Sequence, residues 1–216
     1  MLIIGAGGQA KDLLFVLTEL GMEDRIHFYD DVSDPAKLDL AGRFPIIRSK
    51  QEASDYFQYK DNRFALGIGN PVLRKQMSDR FTALGGRLST VISPLAAVGT
   101  FNTEVGNGCI VLPFSMISNT ARVGTGCLIH HYARVGHDSV MGDYCELSPG
   151  AILLGKSQVG DLTHIGAGAI ILPSVKIGAH CMIGAGSVVT KDVPDGKIVM
   201  GVPGRCIGDQ DQSGLY

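Results

Sequence analysis

The sequence predicts two regions of different fold class, an α/β domain followed by an all-β domain. Residues 1–90 alternate short apolar runs with stretches of helical period, which is typical of βαβ units around a small parallel sheet. From residue 92 onwards an aliphatic residue recurs every six positions, which indicates a parallel β-helix. We therefore expect one domain over residues 1–90 and a second over residues 91–216.

The first domain is predicted from three strand-like runs and the segments that follow them. Leu2 to Ile4 opens into the glycine turn GAGGQAK, and the apolar positions from Leu13 to Leu20 then follow a helical period. A second run ends in Asp30 and Asp31, and a third contains the segment GIGN. This order indicates a Rossmann-like domain with strands at residues 2–4, 26–29 and 64–70, and with helices after the turn and at about residues 72–84.

The second domain is predicted from a hexad repeat. The residue after each repeated aliphatic is glycine in eight of fifteen hexads, and the fourth residue after it is always Ala, Ser, Cys, Thr or Val. Ile92 and Val98 extend the repeat backwards, with a one-residue slip between Val98 and Glu104. The fifteen aliphatic residues, all expected to point inward, are Val105, Val111, Ile117, Val123, Ile129, Val135, Met141, Leu147, Leu153, Val159, Ile165, Ile171, Ile177, Ile183 and Val189.

A six-residue unit with one inward aliphatic residue describes one side of a triangular coil, so three hexads make one turn of the β-helix. Residues three hexads apart in the sequence should then lie above one another at the strand spacing of roughly 4.8 Å. Residues 92–194 should form about five and a half coils. We expect the frequent glycine residues to occupy the corners, where a positive φ is easiest without a Cβ.

Composition and charge narrow the classes of function. The 216-residue chain has a net charge of −2 and no long basic run, so neither a nucleic acid nor an anionic membrane surface is expected as a partner. No apolar run reaches the ~18 residues of a membrane span and no signal-peptide pattern is present, so we expect a cytoplasmic protein. Five cysteines without a CxxC pair or a zinc spacing indicate neither disulfides nor a metal site.

Several motifs resemble those of one enzyme family. They are the GAGGxxK turn, the YDD end of the second strand, the GIGN segment, VGHDSVMGD at 135–143, ELSPGA at 146–151 and GVPGR at 201–205. Together with the hexads, they resemble the sialic-acid O-acetyltransferase and bacillosamine-pathway N-acetyltransferase family, whose hexapeptide repeats form a left-handed β-helix. The resemblance covers nearly the whole chain, and it implies a homotrimer that binds acetyl-CoA between neighbouring β-helices.

His137 is the candidate general base. It lies two residues after the inward Val135, so its imidazole should point outward, with Asn119 and Gly155 in the adjacent coils. An imidazole, with a pKa of about 6.5 when unperturbed, is suited to taking a proton from an amine, and the N–H of Gly155 is a suitable donor to a thioester carbonyl oxygen. The resemblance places the base on the histidine of an H-[DE] pair, here His137 and Asp138, and Asp138 would orient or polarise the ring.

The resemblance also implies the binding sites for both substrates. Acetyl-CoA would be contacted largely through the backbone at Gly155, Ala167 and Ala185, of which the two alanines are three hexads apart and should stack. A nucleotide-linked sugar would be held by the glycine turn, the DD pair and the GIGN segment. These positions are Gly7, Gly8, Gln9, Asp30, Asp31, Gly69 and Asn70, with Gln9 standing where many members of the family have His.

A dinucleotide is an alternative ligand of the first domain, because a glycine turn before a helix suits any phosphate. Gly5-x-Gly7-x-x-Ala10 nearly matches the nicotinamide-dinucleotide fingerprint, and Asp30 follows Gly7 at close to the spacing of that fingerprint's acidic residue.

Two further histidines and a glutamate have open roles. His130 and His131 should face outward, either lining the site or simply solvated. Glu146 stands where bacillosamine-type members carry a second histidine, and the stacking rule places it beneath His164. An exposed ion pair between Glu146 and His164 is one interpretation, and a role in the site is the other.

Four cysteines share one column of the predicted β-helix. Cys109, Cys127, Cys145 and Cys181 all take the fifth hexad position, with Thr163 between them, so they should point inward and stay reduced. Cys206 stands apart from this column.

Taken with the residues above, the resemblance implies an acetyl-CoA-dependent N-acetyltransferase acting on the amino group of a nucleotide-linked 4-amino-4,6-dideoxy sugar. The amine would attack the thioester directly, with His137 as the base and without an acyl-enzyme. O-acetylation of a sialic acid or another sugar is the enzymatic alternative, and a nucleotide-binding structural β-helix is the non-enzymatic one.

Overall fold

The structure, a computed structural model, describes residues 1–34, 36 and 38–210, and it contains a sheet flanked by helices followed by a three-sided left-handed β-helix. Both parts of the predicted fold class are confirmed. Residues 211–216 of the predicted second domain lie outside the described residues.

The N-terminal sheet has a parallel core. Its elements are β1 (Leu2–Ile4), α1 (Gly8–Glu19), a 3₁₀ turn (Glu23–Arg25), β2 (His27–Tyr29), β3 (Asp39–Leu40), β4 (Phe44–Ile47), α2 (Lys50–Tyr59), β5 (Arg63–Leu66), α3 (Pro71–Ala83) and β6 (Arg87–Leu88). The strand order is β3-β4-β2-β1-β5-β6, and every pair is parallel except β3 with β4. The carboxyl ends of β1, β2 and β5 therefore meet at one edge of the sheet.

Capping residues set the limits of two helices. Asn70 caps α3 by accepting a hydrogen bond from Leu73 N at 2.9 Å, and Pro71 fills the first helical position. The strand expected over residues 64–70 therefore ends at Leu66, and GIGN forms the turn into α3. Helix α2 was not predicted from the sequence, although Ser49 and Glu52 form a capping box that the pattern S-x-x-E signals.

Seventeen two-residue strands build the three sides of the β-helix, and a hairpin extends one side. Face 1 comprises β7 (Val91–Ile92), β10 (Ile110–Val111), β13 (Leu128–Ile129), β16 (Glu146–Leu147), β19 (His164–Ile165) and β22 (Met182–Ile183), followed by β24 (Lys197–Met200) and β25 (Arg205–Asp209). Face 2 comprises β8 (Ala97–Val98), β11 (Met116–Ile117), β14 (Arg134–Val135), β17 (Ile152–Leu153), β20 (Ile170–Ile171) and β23 (Val188–Val189). Face 3 comprises β9 (Glu104–Val105), β12 (Arg122–Val123), β15 (Val140–Met141), β18 (Gln158–Val159) and β21 (Lys176–Ile177).

The stacking register follows the predicted rule. Arg122 pairs with Glu104, three hexads earlier in the chain, and this offset holds through Val188. In the first coil the offset is one residue longer, as between Met116 and Ala97, so the one-residue slip falls before Glu104 as predicted. Asn102, with φ 50°, lies in the stretch that absorbs the extra residue.

The repeated aliphatic residues form one continuous core. Fourteen of the fifteen are buried, including Val135 and Ile165 at 0% exposure, and Val105 in the first coil is partly buried. Their inward orientation is confirmed.

The role predicted for the repeated glycines is wrong in part. Glycines such as Gly106 and Gly136, directly after an inward aliphatic, do not have a positive φ. A Cβ at Gly106 would lie 2.6 Å from the carbonyl carbon of Gly124, so these glycines allow close approach of successive coils. A positive φ occurs instead two residues after this position in the hexad, often at residues other than glycine such as Tyr132 and Asp138.

The cysteine column lies inside the β-helix as predicted. Cys109, Cys127, Cys145 and Cys181 are buried free thiols, and each donates to a backbone carbonyl oxygen at 3.0–3.1 Å. Thr163 continues the column by donating to Gly178 O at 2.8 Å. Burial raises the pKa of the Cys127 and Cys181 thiols, which keeps them protonated.

Face 1 carries the N-terminal domain. Its outward residues Val91, Ile110 and Leu128 are buried together with Leu13 and Val16 of α1. Further along the same face the outward residues become Glu146 and His164, so the covered face ends in polar groups.

We expect only one thiol to react in the folded protein. Cys206 is exposed, whereas the four thiols of the column are buried, which keeps a reagent from reaching them. Titration with a thiol reagent should return one group from native protein and five from denatured protein. Fewer than five groups after denaturation without reductant would reveal a disulfide and contradict the reduced column.

Candidate active site

His137 and Asp138 lie together at the corner between faces 2 and 3. His137 follows β14, and its side chain is 67% exposed. Its Nδ1 lies 2.8 Å from Oδ2 of Asp138. Since the ionised carboxylate can only accept, Nδ1 carries a proton, and Nε2 is the ring nitrogen that can take up a proton from a substrate.

The previous coil holds Asp138 in place. Thr120 Oγ1 donates to Asp138 Oδ1 at 2.7 Å and also lies 3.2 Å from Asp138 N. The hydrogen bond from His137, followed by that from Thr120, holds the pKa of Asp138 below its usual value. The sequence analysis did not identify Thr120, although the three-hexad rule places it beside Asp138.

Gly155 lies against the imidazole of His137. A Cβ built on Gly155 would lie 2.5 Å from His137 Nε2, so no larger residue fits while the ring keeps this position. Among the described residues, Gly155 N–H donates to no acceptor. A free N–H and a free imidazole nitrogen therefore lie side by side, beside an open pocket of about 430 Å³ lined by Asn119, Met116 and His137 among others.

The other two predicted acetyl-CoA residues lie at a different corner. Ala167 and Ala185 are exposed and stacked, with Gly186 N donating to Ala167 O at 2.8 Å. They follow β19 and β22 on face 1, whereas Gly155 follows β17 on face 2. The three residues therefore do not line one corner of a single chain. Each hexad forms one side of the coil, and Ala167 lies two hexads, and so two sides, after Gly155. His131 shares the corner of Ala167.

A second pocket, of about 400 Å³, lies at the carboxyl edge of the N-terminal sheet. Its apolar wall includes Tyr29, Ile68, Leu73 and Met77. Six of the seven predicted nucleotide-sugar residues line it, namely Gly7, Gly8, Gln9, Asp30, Asp31 and Gly69. The seventh, Asn70, caps α3 next to the pocket.

The polar groups of this pocket are unequally engaged. Asp30 Oδ1 accepts hydrogen bonds from Val32 N at 3.0 Å and Ser33 N at 2.8 Å, so its carboxylate stabilises the turn that directly follows it. Asp31 accepts from the Tyr29 hydroxyl at 3.0 Å. Burial and this neighbouring carboxylate raise the pKa of Tyr29 to about 12. The first turn of α1 starts at Gly8 without a side-chain cap or an acidic residue, which leaves its N–H groups suited to a phosphate.

The exposed ion pair proposed for Glu146 and His164 is wrong, because the N-terminal domain covers this part of face 1. Glu146 is 9% exposed. Its Oε1 lies 3.4 Å from His130 Nε2 and 3.7 Å from His164 Nε2, and Ser148 Oγ donates to it at 3.2 Å. His130, with a side chain 12% exposed, is likewise not simply solvated. These four residues are called the Glu146 cluster below.

Electrostatics keep Glu146 ionised in this cluster. Burial raises the pKa of Glu146, but the hydrogen bond with His130 and the charges of His164 and Arg74 outweigh it, so the pKa lies below its usual value. Burial lowers the pKa of His164. Among the described residues, no group of three or more His, Cys, Asp or Glu side chains could hold a metal ion.

Arg74 of α3 joins the two domains beside this cluster. It is 1% exposed, and its guanidinium donates to the carbonyl oxygens of Gly69, Gly126, Tyr144 and Cys145 at 2.5–3.1 Å. Sequence reasoning missed Arg74. The available signal was a charged residue in line with Pro71, Ser78 and Phe81 on the buried stripe of α3.

Two family models match the chain. The model described as the PglD N-terminal domain matches residues 1–81, and the model described as bacterial transferase hexapeptide (six repeats) matches residues 156–191. No curated protein matches the chain in sequence.

Several solved structures are similar over nearly the whole chain. The acetyltransferase domain of PglB from Neisseria gonorrhoeae FA1090 is 28% identical, with 95% of this chain and 98% of that chain covered and a TM-score of 0.86. A mutant of perosamine N-acetyltransferase from Caulobacter crescentus, in complex with CoA and GDP-perosamine, is 29% identical over 96% of both chains, with a TM-score of 0.86. WeeI from Acinetobacter baumannii AYE is 26% identical, with 95% and 98% covered and a TM-score of 0.86.

No helix within the described residues is long and apolar enough to cross a membrane.

Replacing Arg74 should destabilise the junction between the domains. Arg74→Met would leave four carbonyl oxygens without their donor and Glu146 without its buried counter-charge, so we expect a loss of roughly 3–5 kcal/mol in the free energy of unfolding. Lys75→Met is the matched control, because partly exposed Lys75 pairs with Asp79 and lies over the Tyr144 ring, contacts whose loss should cost about 1 kcal/mol or less. Denaturant unfolding of both variants provides the measurement, and equal losses would contradict the role given to Arg74.

Proposed function

We propose that this chain N-acetylates a nucleotide-linked amino sugar. The premise is that it is an acetyl-CoA-dependent acetyltransferase of the hexapeptide-repeat class with a PglD-type N-terminal domain. The sugar would be a 4-amino-4,6-dideoxy hexose. The observation that carries the proposal is the position of His137 Nε2 against Gly155, whose N–H has no acceptor among the described residues.

This pair supplies what acyl transfer to an amine needs. The amine nitrogen forms a bond to the thioester carbonyl carbon and gives its proton to His137 Nε2, while the carbonyl oxygen gains charge beside Gly155 N–H. The C–S bond then breaks, and CoA leaves as the thiol after taking up a proton. Asp138 acts through His137, because it holds the proton on Nδ1 and stabilises the imidazolium.

The buried thiols support direct attack rather than an acyl-enzyme. The four column cysteines point into the core, and Cys206 lies on the terminal hairpin. No thiol therefore shares the corner of His137 within the part of the chain that the structure describes.

The N-terminal pocket is proposed to bind the nucleotide. Its apolar wall suits a base, and the first turn of α1 suits the diphosphate. Asp30, whose Oδ1 stabilises the turn that directly follows it, is less free to bind a ribose than the dinucleotide alternative requires.

A homotrimer would bring the two sites together. The nucleotide pocket belongs to the domain on face 1, whereas His137 lies beyond face 2, and a side of six residues spans up to roughly 20 Å. A neighbouring copy that packs on face 2 would place its own corners in the space between the nucleotide pocket and His137. We therefore propose that a sugar bound in the nucleotide pocket of one copy is acetylated with His137 of the neighbouring copy as the base.

The composition of the faces supports face 2 as the packing surface. Its outward residues are mostly apolar: Met116, Ile152, Leu154, Ile170, Leu172 and Val188. Those of face 3 are mostly polar or glycine, as at Glu104, Arg122, Gln158 and Lys176. An unpaired apolar sheet of this kind is typical of a subunit interface.

Thiol release from acetyl-CoA tests the activity directly. The panel should contain nucleotide-linked 4-amino-4,6-dideoxy sugars, their 4-hydroxy counterparts and free sialic acid. We expect turnover with an amino sugar. Turnover with hydroxyl acceptors alone would favour O-acetylation, and none with any acceptor would favour a structural β-helix.

His137→Ala should lower kcat by roughly 10²- to 10⁴-fold with little change in substrate binding, because the proton moves only in the transition state. Because His137 can accept a proton only in its neutral form, the wild-type rate should rise with pH, and the variant should lose that dependence. Asp138→Asn should have a milder effect of the same kind. A His137→Ala enzyme with most of its kcat at neutral pH would contradict general-base catalysis.

Ala185→Trp should raise the KM for acetyl-CoA several-fold, because a large side chain at this exposed corner would block a close backbone approach. Ala179→Trp is the matched control, since Ala179 holds the same hexad position at the corner between faces 3 and 1. Both trimers should keep their melting temperature. An unchanged KM for Ala185→Trp would place the acetyl-CoA groove elsewhere.

A further inference from the structure

The Glu146 carboxylate has one engaged oxygen and one available oxygen. Oε1 faces His130, His164 and Ser148. Oε2 accepts no hydrogen bond from any residue that the structure describes, and Arg74 Nη1 lies 3.9 Å from it. Because a carboxylate oxygen has two lone pairs, Oε2 can still bind a donor from outside the protein.

Glu146 Oε2 lies next to Gly69, a residue of the nucleotide-pocket wall, although Glu146 itself does not line the pocket. Gly69 lines that pocket, and a Cβ built on Gly69 would have Glu146 Oε2 as its nearest neighbour, at 3.7 Å. That distance is an ordinary van der Waals contact, and the φ of Gly69 is not in the left-handed region. Neither space nor backbone conformation therefore requires glycine here, but a side chain would cover Oε2.

The negative charge of Glu146 itself is what would attract a cationic ligand. Its carboxylate stays ionised, and burial lowers the pKa of the neighbouring His164 while Glu146 opposes that shift. The Arg74 guanidinium directs its hydrogen bonds to four carbonyl oxygens and donates none to Oε2. A hydrogen bond between an ammonium and a carboxylate is roughly twice as strong as one between neutral groups.

We propose that Glu146 Oε2 binds the ammonium group of the acceptor sugar and so selects amino sugars over their hydroxyl counterparts. The inference rests on the proposed function, because it assumes a nucleotide-linked sugar in the N-terminal pocket. His130, His164 and Ser148 act as positioning residues that hold Oε1 and leave Oε2 beside Gly69. His137 of a neighbouring copy then takes the proton before or during attack.

Binding measured without acetyl-CoA separates this role from catalysis. Titration calorimetry should compare a nucleotide-linked 4-amino sugar with the same nucleotide sugar carrying a 4-hydroxyl group. In Glu146→Gln we expect affinity for the amino sugar to fall roughly 10- to 100-fold, with less than about a threefold change for the hydroxyl ligand. Glu104→Gln is the matched control, because Glu104 holds the same hexad position on exposed face 3 and both affinities should stay unchanged.

Gly69→Ala provides a second test that keeps the Glu146 cluster intact. The added methyl would contact Oε2, so affinity for the amino sugar should fall more than affinity for the hydroxyl ligand, while the melting temperature stays within about 2 °C. This variant decides the question if Glu146→Gln does not fold.

Equal losses for both ligands, or no loss in a folded variant, would overturn the inference and leave Glu146 as part of the domain junction. Failure of the proposed function is a separate result. In that case wild-type protein binds neither nucleotide sugar and releases no CoA with any member of the panel.

Discussion

The stacking of hexads at a constant register is the constraint on which the rest of the molecule depends. Each coil hydrogen-bonds to the next at an offset of three hexads after the first turn, so every hexad position becomes a column along the β-helix. This stacking gives Cys127 a carbonyl acceptor in the next coil, Gly142 O, and brings Gly155 against His137. A one-residue shift would turn the inward aliphatic residues outward, so the core itself enforces the register.

The junction between the domains depends on a second interaction, the buried guanidinium of Arg74. It reaches from α3 to three carbonyl oxygens of the β-helix and to Gly69 beside the nucleotide pocket. Because its donors have fixed directions, it sets the position of α3 on face 1 as well as the distance between the domains. The pocket wall and Glu146 are thereby held together, which a flexible linker would not achieve.

The predictability of the candidate site differs between its parts. His137, Asp138 and Gly155 could be placed from the sequence, because their contacts lie within one coil or between coils that obey the three-hexad rule. Six of the seven nucleotide-sugar residues line one pocket, since turns after parallel strands converge at one edge. The same rule placed Glu146 beside His164 but missed its burial, because the covering domain belongs to a distant part of the chain.

The sequence by itself determined the two domain types, the inward columns, the one-residue slip and the candidate catalytic pair. These features follow from periodicity and local turns, in which each contact has a constant separation along the chain. Only the tertiary structure decided that face 1 is covered, that Arg74 joins the domains and that Glu146 is buried with one oxygen available. Those contacts join parts of the chain that are far apart in the sequence, as Arg74 does with Cys145, and their separations do not repeat. They depend on how the surfaces of the two domains fit together, which no local sequence pattern encodes.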